Sequence, residues 1–175
     1  GCKPGDFKYK DQNGDGVMNT EDKVFQGYKT PRYRWSMRND FTIHKNFTVS
    51  FTMYSYFGHY GAFNEAANYN GGSPYKFSSY DLPRWTKDNP TNDYARISSY
   101  NAGTNWVKKS FLRLDNVSVS YNLPKSFLRK FAIQNMRLTL TARNVAVLSP
   151  HWTFWDPENG SLSPRSFNLG INFTL

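Results

Sequence analysis

The sequence predicts an all-β fold of about five antiparallel strands, each with one apolar and one polar face. Five runs of alternating apolar and polar residues carry this prediction, and polar or Gly/Asn-rich stretches separate them. The 14 Phe, 12 Tyr and 5 Trp among 175 residues argue against disorder, because disordered chains are poor in aromatic side chains. A transmembrane helix is excluded, since no stretch approaches ~18 consecutive apolar residues.

The first two strands are predicted at residues 35–43 and 47–57. In the first run Trp35 and Met37 begin an apolar face, and polar side chains occupy most of the alternate positions. The second run continues the same alternation with one apolar face. The polar residues 44–46 between the two runs are typical of a hairpin turn.

Three further strands are predicted by the same alternation at residues 111–123, 136–147 and 165–175. In the first of these, the apolar positions change parity between Leu114 and Val117. A β-bulge adds one residue to a strand and thereby returns the two halves to one face. We therefore expect a bulge between these two positions.

Two architectures use such strands, a soluble β-sandwich and a transmembrane β-barrel. The connections favour the barrel, because a short turn at 44–46 alternates with long segments at 58–110 and 148–164, as periplasmic turns alternate with extracellular loops. In that topology residues 1–33 form a further extracellular loop, and the C-terminus lies in the periplasm. About five strands cannot close a barrel. The predicted fold class is therefore the C-terminal antiparallel strands of a large transmembrane β-barrel.

The segment from Asp11 to Asp22 matches the template of a calcium-binding loop, with Asp, Asn and Asp at alternate positions before Gly16. Such alternation aims oxygen atoms at one point, and calcium takes six to eight oxygen ligands at ~2.3–2.6 Å. The predicted ligands of a structural Ca²⁺ are Asp11, Asn13, Asp15, Val17 (through its carbonyl), Asn19 and Asp22. The short side chain at the last position predicts weak binding, and a metal-free double turn is the alternative.

Several stretches together match one family over nearly the whole chain. They are Pro4–Tyr9 with Asp11–Gly16, Trp85–Pro90, Ser110–Val117, Tyr121–Pro124, Arg143–Asn144, Asp156–Glu158 and Pro164–Gly170. In these stretches the chain resembles the C-terminal barrel region of the SusC/RagA family of TonB-dependent outer-membrane transporters from Bacteroidetes. It departs from the family at its last residue, since Leu175 stands where these barrels usually place an aromatic.

The resemblance implies a function in nutrient uptake across the cell outer membrane. It implies a larger barrel with a plug, energised by the TonB system through a part not present here, and a SusD-like surface lipoprotein that acts as a lid. The imported solute would be a glycan or a peptide, and outer-membrane lipid would surround the barrel. We expect no enzymatic activity. The alternative is a soluble secreted β-sandwich, stapled by calcium, that binds carbohydrate through exposed aromatics.

Charge and composition exclude or weaken other functions. The net charge of +9 is spread along strands and turns without a basic-aromatic nucleic-acid motif, so we expect no nucleic-acid partner. The single cysteine cannot form an intrachain disulfide. No nucleophile motif accompanies the three scattered histidines.

Aromatic residues near the outer ends of the predicted strands are the candidates for contact with the solute or the lid. Aromatic rings stack on sugar rings and on peptide side chains, although packing within the loops is the simpler role. The candidates are Tyr56, Tyr60, Tyr75, Trp85, Trp152 and Trp155.

Overall fold

The structure, a computed structural model, describes residues 2–63, 82–96, 105–153 and 155–175. It divides into two compact units. One unit comprises residues 1–27 and 60–107, and the other comprises residues 28–59 and 108–175.

The second unit is built on a five-stranded antiparallel sheet. Its strands are β1 (Tyr33–Ile43), β2 (Phe47–Phe57), β5 (Phe111–Asn122), β6 (Asn135–Leu148) and β7 (Ser166–Thr174), and they neighbour one another in that order. The ends of each strand lie within two residues of the ends predicted from the alternation. The order follows the chain, so each strand pairs with the next one of the sheet as in an up-and-down barrel wall. The all-β, antiparallel fold class is confirmed.

Turns and bulges set the register of this sheet. The hairpin between β1 and β2 closes with Ile43 opposite Phe47, and both His44 and Lys45 have positive φ angles, of 50° and 62°. Between β5 and β6 the register shifts from Leu114 to Asn116, which is where the parity change predicted a bulge. As a result, the apolar residues of each pair of strands remain on one face of the sheet.

The apolar face of the sheet is exposed, which distinguishes the two predicted architectures. Along β7, Phe167 and Leu169 are both 73 % exposed, and Leu140 on the neighbouring β6 is 51 % exposed. In a sandwich these residues face a second sheet and form the core. Among the described residues the buried apolar side chains are few: Phe63, Phe111, Leu128, Trp152 and Pro157. The face therefore resembles the lipid-facing wall of a barrel rather than half of a sandwich core.

In its described residues the first unit contains short elements. A 3₁₀ helix spans Thr20–Asp22, and two short strands, β3 (Tyr60–Phe63) and β4 (Asn105–Lys108), pair with each other. The sequence predicted a loop over all of 58–110, and the two strands correct that prediction. They were missed because runs of four residues are too short to show alternation. Arg96 forms a salt bridge of 2.5 Å with Asp6, whose side chain is 1 % exposed.

Helices contribute little to the part of the chain that the structure describes. A one-turn helix α1 (Lys125–Leu128) and a following 3₁₀ turn (Arg129–Phe131) connect β5 to β6. Within the described ranges, no helix combines the length and the apolar character that crossing a membrane requires.

Candidate functional site

The predicted calcium loop is held together by hydrogen bonds from its own backbone. The carboxylate of Asp11 accepts from the N–H groups of Gly14 (2.6 Å) and Gly16 (2.8 Å). Asp22 accepts from the N–H groups of Gln12 (2.8 Å) and Asn19 (2.9 Å), which lowers the pKa of its carboxyl below the ordinary 3.8. Asp11 and Asp22 thus tie the two ends of the segment to its interior.

In the middle of this loop, side-chain oxygens again accept hydrogen bonds from nearby backbone N–H groups. Asp15 accepts from the N–H of Val17 at 2.7 Å, and Asn19 caps the 3₁₀ helix by accepting from Glu21 at 2.6 Å. The Asn13 amide donates to Asp15 at 2.9 Å. Across the described part of the chain, no group of three or more His, Cys, Asp or Glu side chains is arranged to hold a metal ion. The calcium site stays a prediction.

The polar face of the five-stranded sheet forms a shallow cleft of about 350 Å³. Hydroxyl pairs across β5 and β6 line its floor, with Ser118 to Thr141 and Ser120 to Thr139 each at 3.1 Å. At its edge Arg38 pairs with Asp40 at 3.1 Å, and both side chains are mostly exposed. This face offers hydrogen-bonding and charged groups to whatever lies against it.

A buried ion pair fixes the connection between β6 and β7 onto this wall. The guanidinium of Arg113 donates to both carboxylate oxygens of Asp156, at 2.8 and 2.6 Å, and the two side chains are only 4 % and 5 % exposed. Arg113 also donates to the Asn144 side chain, whose amide in turn donates to the carbonyl of Ser163 at 2.7 Å. Glu158 lies 3.5 Å from the Arg113 guanidinium. One arginine thus holds the loop at several points.

The ionisation of Asp156 follows from these contacts. Burial by itself raises the pKa of a carboxyl, but the Arg113 guanidinium and the N–H groups of Glu158 and Asn159 outweigh it, so the pKa of Asp156 lies below the ordinary 3.8. The charged carboxylate is therefore the form that the folded loop requires.

We expect the loop to loosen in acid. Because the folded pKa of Asp156 is depressed, its contribution to stability is present above the unfolded pKa near 3.8 and is lost as the pH falls through the folded value. Unfolding free energies measured between about pH 5 and 1 should fall more steeply for the native protein than for Asp156→Asn. Equal slopes for the two proteins would contradict this assignment.

Three aromatic rings cluster beside this ion pair on the polar face. Tyr54 and Tyr56 lie with their ring centroids 5.5 Å apart, and Phe111 lies 6.0 and 5.4 Å from them. The Tyr54 hydroxyl donates to Glu158 at 2.6 Å, and the Arg34 guanidinium lies 5.0 Å from the Tyr56 ring centroid. An open cleft of about 430 Å³ lies here, lined by Arg34, Trp35, Ser36, Tyr54, Tyr56 and Glu158. The cleft combines aromatic faces, a carboxylate and a guanidinium.

The other predicted aromatic contacts are distributed over both units. In the first unit, Tyr60 lies in β3. The Trp85 ring packs directly against Gly5, so closely that a Cβ atom added to Gly5 would lie 2.5 Å from it. In the second, Trp152 is 8 % exposed and donates to the carbonyl of Trp155 at 2.8 Å. Tyr75 lies outside the described residues. The ligand and lid contacts remain predictions, and Tyr56 is the one that the structure places in the aromatic cleft.

The Arg113 network contains functional candidates that the strand pattern did not identify. Arg113, Asn144, Asp156 and Glu158 all lie in stretches that carry the family resemblance. The available signal was therefore the motifs themselves, which mark the residues of one network although 43 positions separate Arg113 from Asp156.

The chain is similar over nearly its whole length to two curated proteins from Formosa agariphila. TonB-dependent receptor P26 is 28 % identical over 202 residues, which cover 98 % of this chain and 20 % of the receptor. TonB-dependent receptor P3 is 28 % identical over 181 residues, which cover 97 % of this chain and 17 % of the receptor. The chain spans about a fifth of the length of the curated relatives it matches. A scan of protein-family models gave no match.

Solved structures with the same fold include a transporter complex. The RagAB peptide importer in its open-open state matches with a TM-score of 0.69 and 21 % identity, covering 100 % of this chain and 21 % of that one. The predicted resemblance to TonB-dependent outer-membrane proteins is confirmed in sequence, and the fold of the strands is that of the RagAB importer. A second structure, of the RagAB peptide transporter, matches with a TM-score of 0.56 and 23 % identity over 74 % of this chain and 16 % of that one. At these identities the structural matches establish the fold of the strands.

Proposed function

We propose that this chain forms part of the barrel wall of a TonB-dependent importer in the outer membrane. The observation that carries the proposal is the exposed apolar face of the five-stranded sheet, opposite a face of hydroxyls and charges. A barrel that opens a polar lumen within lipid requires this arrangement. The receptors similar in sequence and the importer similar in fold support it.

The orientation and partners are part of the same proposal. The hairpin 44–46 and the β5–β6 connection face the periplasm, and the loop that carries Asp156 faces outside, above the lumen. The rest of the barrel and its plug complete the wall, TonB energises transport, and a SusD-like lipoprotein closes the outer opening. The solute is a glycan or a peptide; the importer that is similar in fold, RagAB, is a peptide importer.

Deletion of the gene in its native host tests this function. We expect loss of growth on either peptides or glycans as the nutrient source, with the same loss when TonB is inactivated. Complementation with the native gene serves as the control. Recovery of the chain as a soluble 20.3 kDa species in the medium, with growth unaffected, would reject the transporter and favour the secreted sandwich.

Calcium at the Asp11–Asp22 segment is a further part of the proposal. The segment presents acceptor oxygens at the spacing of a calcium loop, and Gly14 and Gly16 adopt the positive φ angles, of 78° and 79°, that its tight turns require. Outside the cell, calcium is abundant enough to fill a weak site. Its role there is to stiffen a loop, without a part in transport chemistry.

A titration of the complete protein with Ca²⁺ tests this site. We expect a dissociation constant of ~10⁻⁴–10⁻³ M, typical of extracellular calcium modules, and a higher unfolding temperature at saturation. Asp15→Ala should abolish both effects, whereas Asp88→Ala, on an exposed turn of the same unit, should leave them intact. An identical calcium response in the native protein and Asp15→Ala would refute the site.

A further inference from the structure

The connection between β5 and β6 is a fixed turn with one internal anchor. The N–H groups of Phe127 and Leu128 donate to the carbonyl of Pro124, at 3.0 and 3.3 Å. The turn ends at Ala132, whose φ angle is 56°, and the N–H of Ile133 returns to the carbonyl of Leu128 at 3.3 Å. Leu128 itself is 1 % exposed. The backbone is therefore set, and the other side chains of the turn project from it.

Two aromatic rings project from this turn into the surroundings. Phe127 and Phe131 stand one helical turn apart, with their ring centroids 5.4 Å from each other, and they are 50 % and 60 % exposed. The side chain of the turn that is buried is their neighbour Leu128, so the two rings are not needed to pack the turn against the sheet. Two adjacent exposed phenylalanines on a rigid turn are unfavourable in water, whereas aromatic side chains are favoured at the boundary of a membrane.

The same turn is strongly basic. It carries Lys125, Arg129 and Lys130, and the sequence has no Asp or Glu anywhere from residue 116 to residue 155. Within the described ranges, none of the three cations forms a salt bridge. Three positive charges beside two exposed aromatic rings complement a membrane surface, where anionic headgroups lie above apolar acyl chains.

The turn also lies where the apolar face of the sheet ends. β5 ends at Asn122 and β6 begins at Asn135, and the N–H of Leu123 pairs with the carbonyl of Met136 at 2.9 Å. At this edge the exposed aromatics Tyr121 and Phe173 finish the apolar face, at 40 % and 61 % exposure. The aromatic and basic turn is thus continuous with the surface assigned to lipid.

We propose that residues 124–133 form an interfacial anchor that binds the anionic headgroups of phospholipids. Lys125, Arg129 and Lys130 contact the headgroup phosphates, while Phe127 and Phe131 enter the acyl boundary below them. The proposal rests on the barrel assignment above, which places this edge of the sheet at the periplasmic surface of the membrane. It adds a contact with a particular class of lipid, which holds the β5–β6 turn at a set depth.

A nitroxide probe at Phe131→Cys in the complete protein tests the anchor. The protein is placed in nanodiscs of phosphatidylcholine, with or without phosphatidylglycerol, in a background without other reactive cysteines. We expect the probe to collide with oxygen and to be shielded from a water-soluble nickel reagent, and the shielding to increase with phosphatidylglycerol. A probe at Lys87→Cys, on an exposed turn of the other unit, should collide with nickel in both lipids.

A charge variant provides the matched control. Replacing Lys125, Arg129 and Lys130 by Gln should remove the response to phosphatidylglycerol. The same three-charge change at Lys8, Lys10 and Lys23, all exposed in the other unit, should preserve it.

Three results would overturn the anchor. In the first, the Phe131→Cys probe collides freely with the nickel reagent. In the second, it is shielded from both nickel and oxygen. In the third, it is shielded from nickel to the same extent with and without phosphatidylglycerol. Shielding from both reagents would indicate that protein covers the turn. Recovery of the same preparation from the outer membrane as a folded barrel separates failure of the anchor from failure of the proposed function.

Discussion

Replacing Arg113 by Met should destabilise the complete protein by about 3–5 kcal/mol, the range for breaking a buried ion pair by removing one partner. The change leaves the Asp156 carboxylate, which is 5 % exposed, without its counter-charge. It also removes the donor to Asn144 and the cation beside Glu158. The free energy of unfolding in urea, measured in lipid vesicles, reads this loss directly.

Arg38→Gln is the matched control for this variant. Arg38 also pairs with an aspartate, Asp40, but the two side chains are 70 % and 53 % exposed. Exposed pairs contribute about 0–1 kcal/mol, because water screens them and holding two side chains in place costs entropy. Losses of the same size in the two variants would show that the loop on Arg113 does not depend on the buried pair.

Replacing Leu140 by Arg should cost about 2–4 kcal/mol, the range for a cation on the lipid face near the middle of a barrel strand. Leu140 lies near the middle of β6, between Val119 and Leu169 of its neighbours, and is 51 % exposed. The exposed fraction means that the structure itself leaves room for the longer side chain. The cost therefore comes from contact with lipid. It can be measured by refolding each variant into vesicles and following the folded barrel by its heat-sensitive mobility in gels.

Two further variants separate lipid contact from a packed core. Thr141→Arg places the same cation on the polar face, beside the hydroxyl of Ser118, and should cost much less. Leu140→Val should be tolerated, since lipid fills the space that a core would leave as a cavity. A loss of about 1 kcal/mol in Leu140→Val, the size that deletion of one methylene from a packed core produces, would indicate a packed core and favour the sandwich.

The strands could be predicted from the sequence because alternation is a local property. Each of the five runs in the sheet exposes one apolar face, so period two was visible without knowing the partner strand. The bulge after Leu114 was predictable for the same reason, since it is recorded in the changed parity of the apolar positions. The β3 and β4 strands were missed because four residues are too few to define a period.

The candidate site was much less predictable, because its residues meet only through the fold. Arg113 and Asp156 lie 43 positions apart, in a strand and in a loop, and neither has a local pattern that identifies the other. The aromatics show the same limit. Periodicity placed Tyr56 and Trp152 alike near strand ends, but it did not show that Trp152 would be buried.

The central claim is that one face of this sheet contacts lipid and the other a polar lumen. Single cysteines at each position from Arg137 to Arg143 on β6, labelled with a fluorophore in vesicles that contain nitroxide lipids, test it most directly. We predict strong quenching at Leu138, Leu140 and Ala142 and weak quenching at the four positions that alternate with them. Quenching without alternation, or with the opposite phase, would contradict the assignment of this chain to a membrane barrel wall.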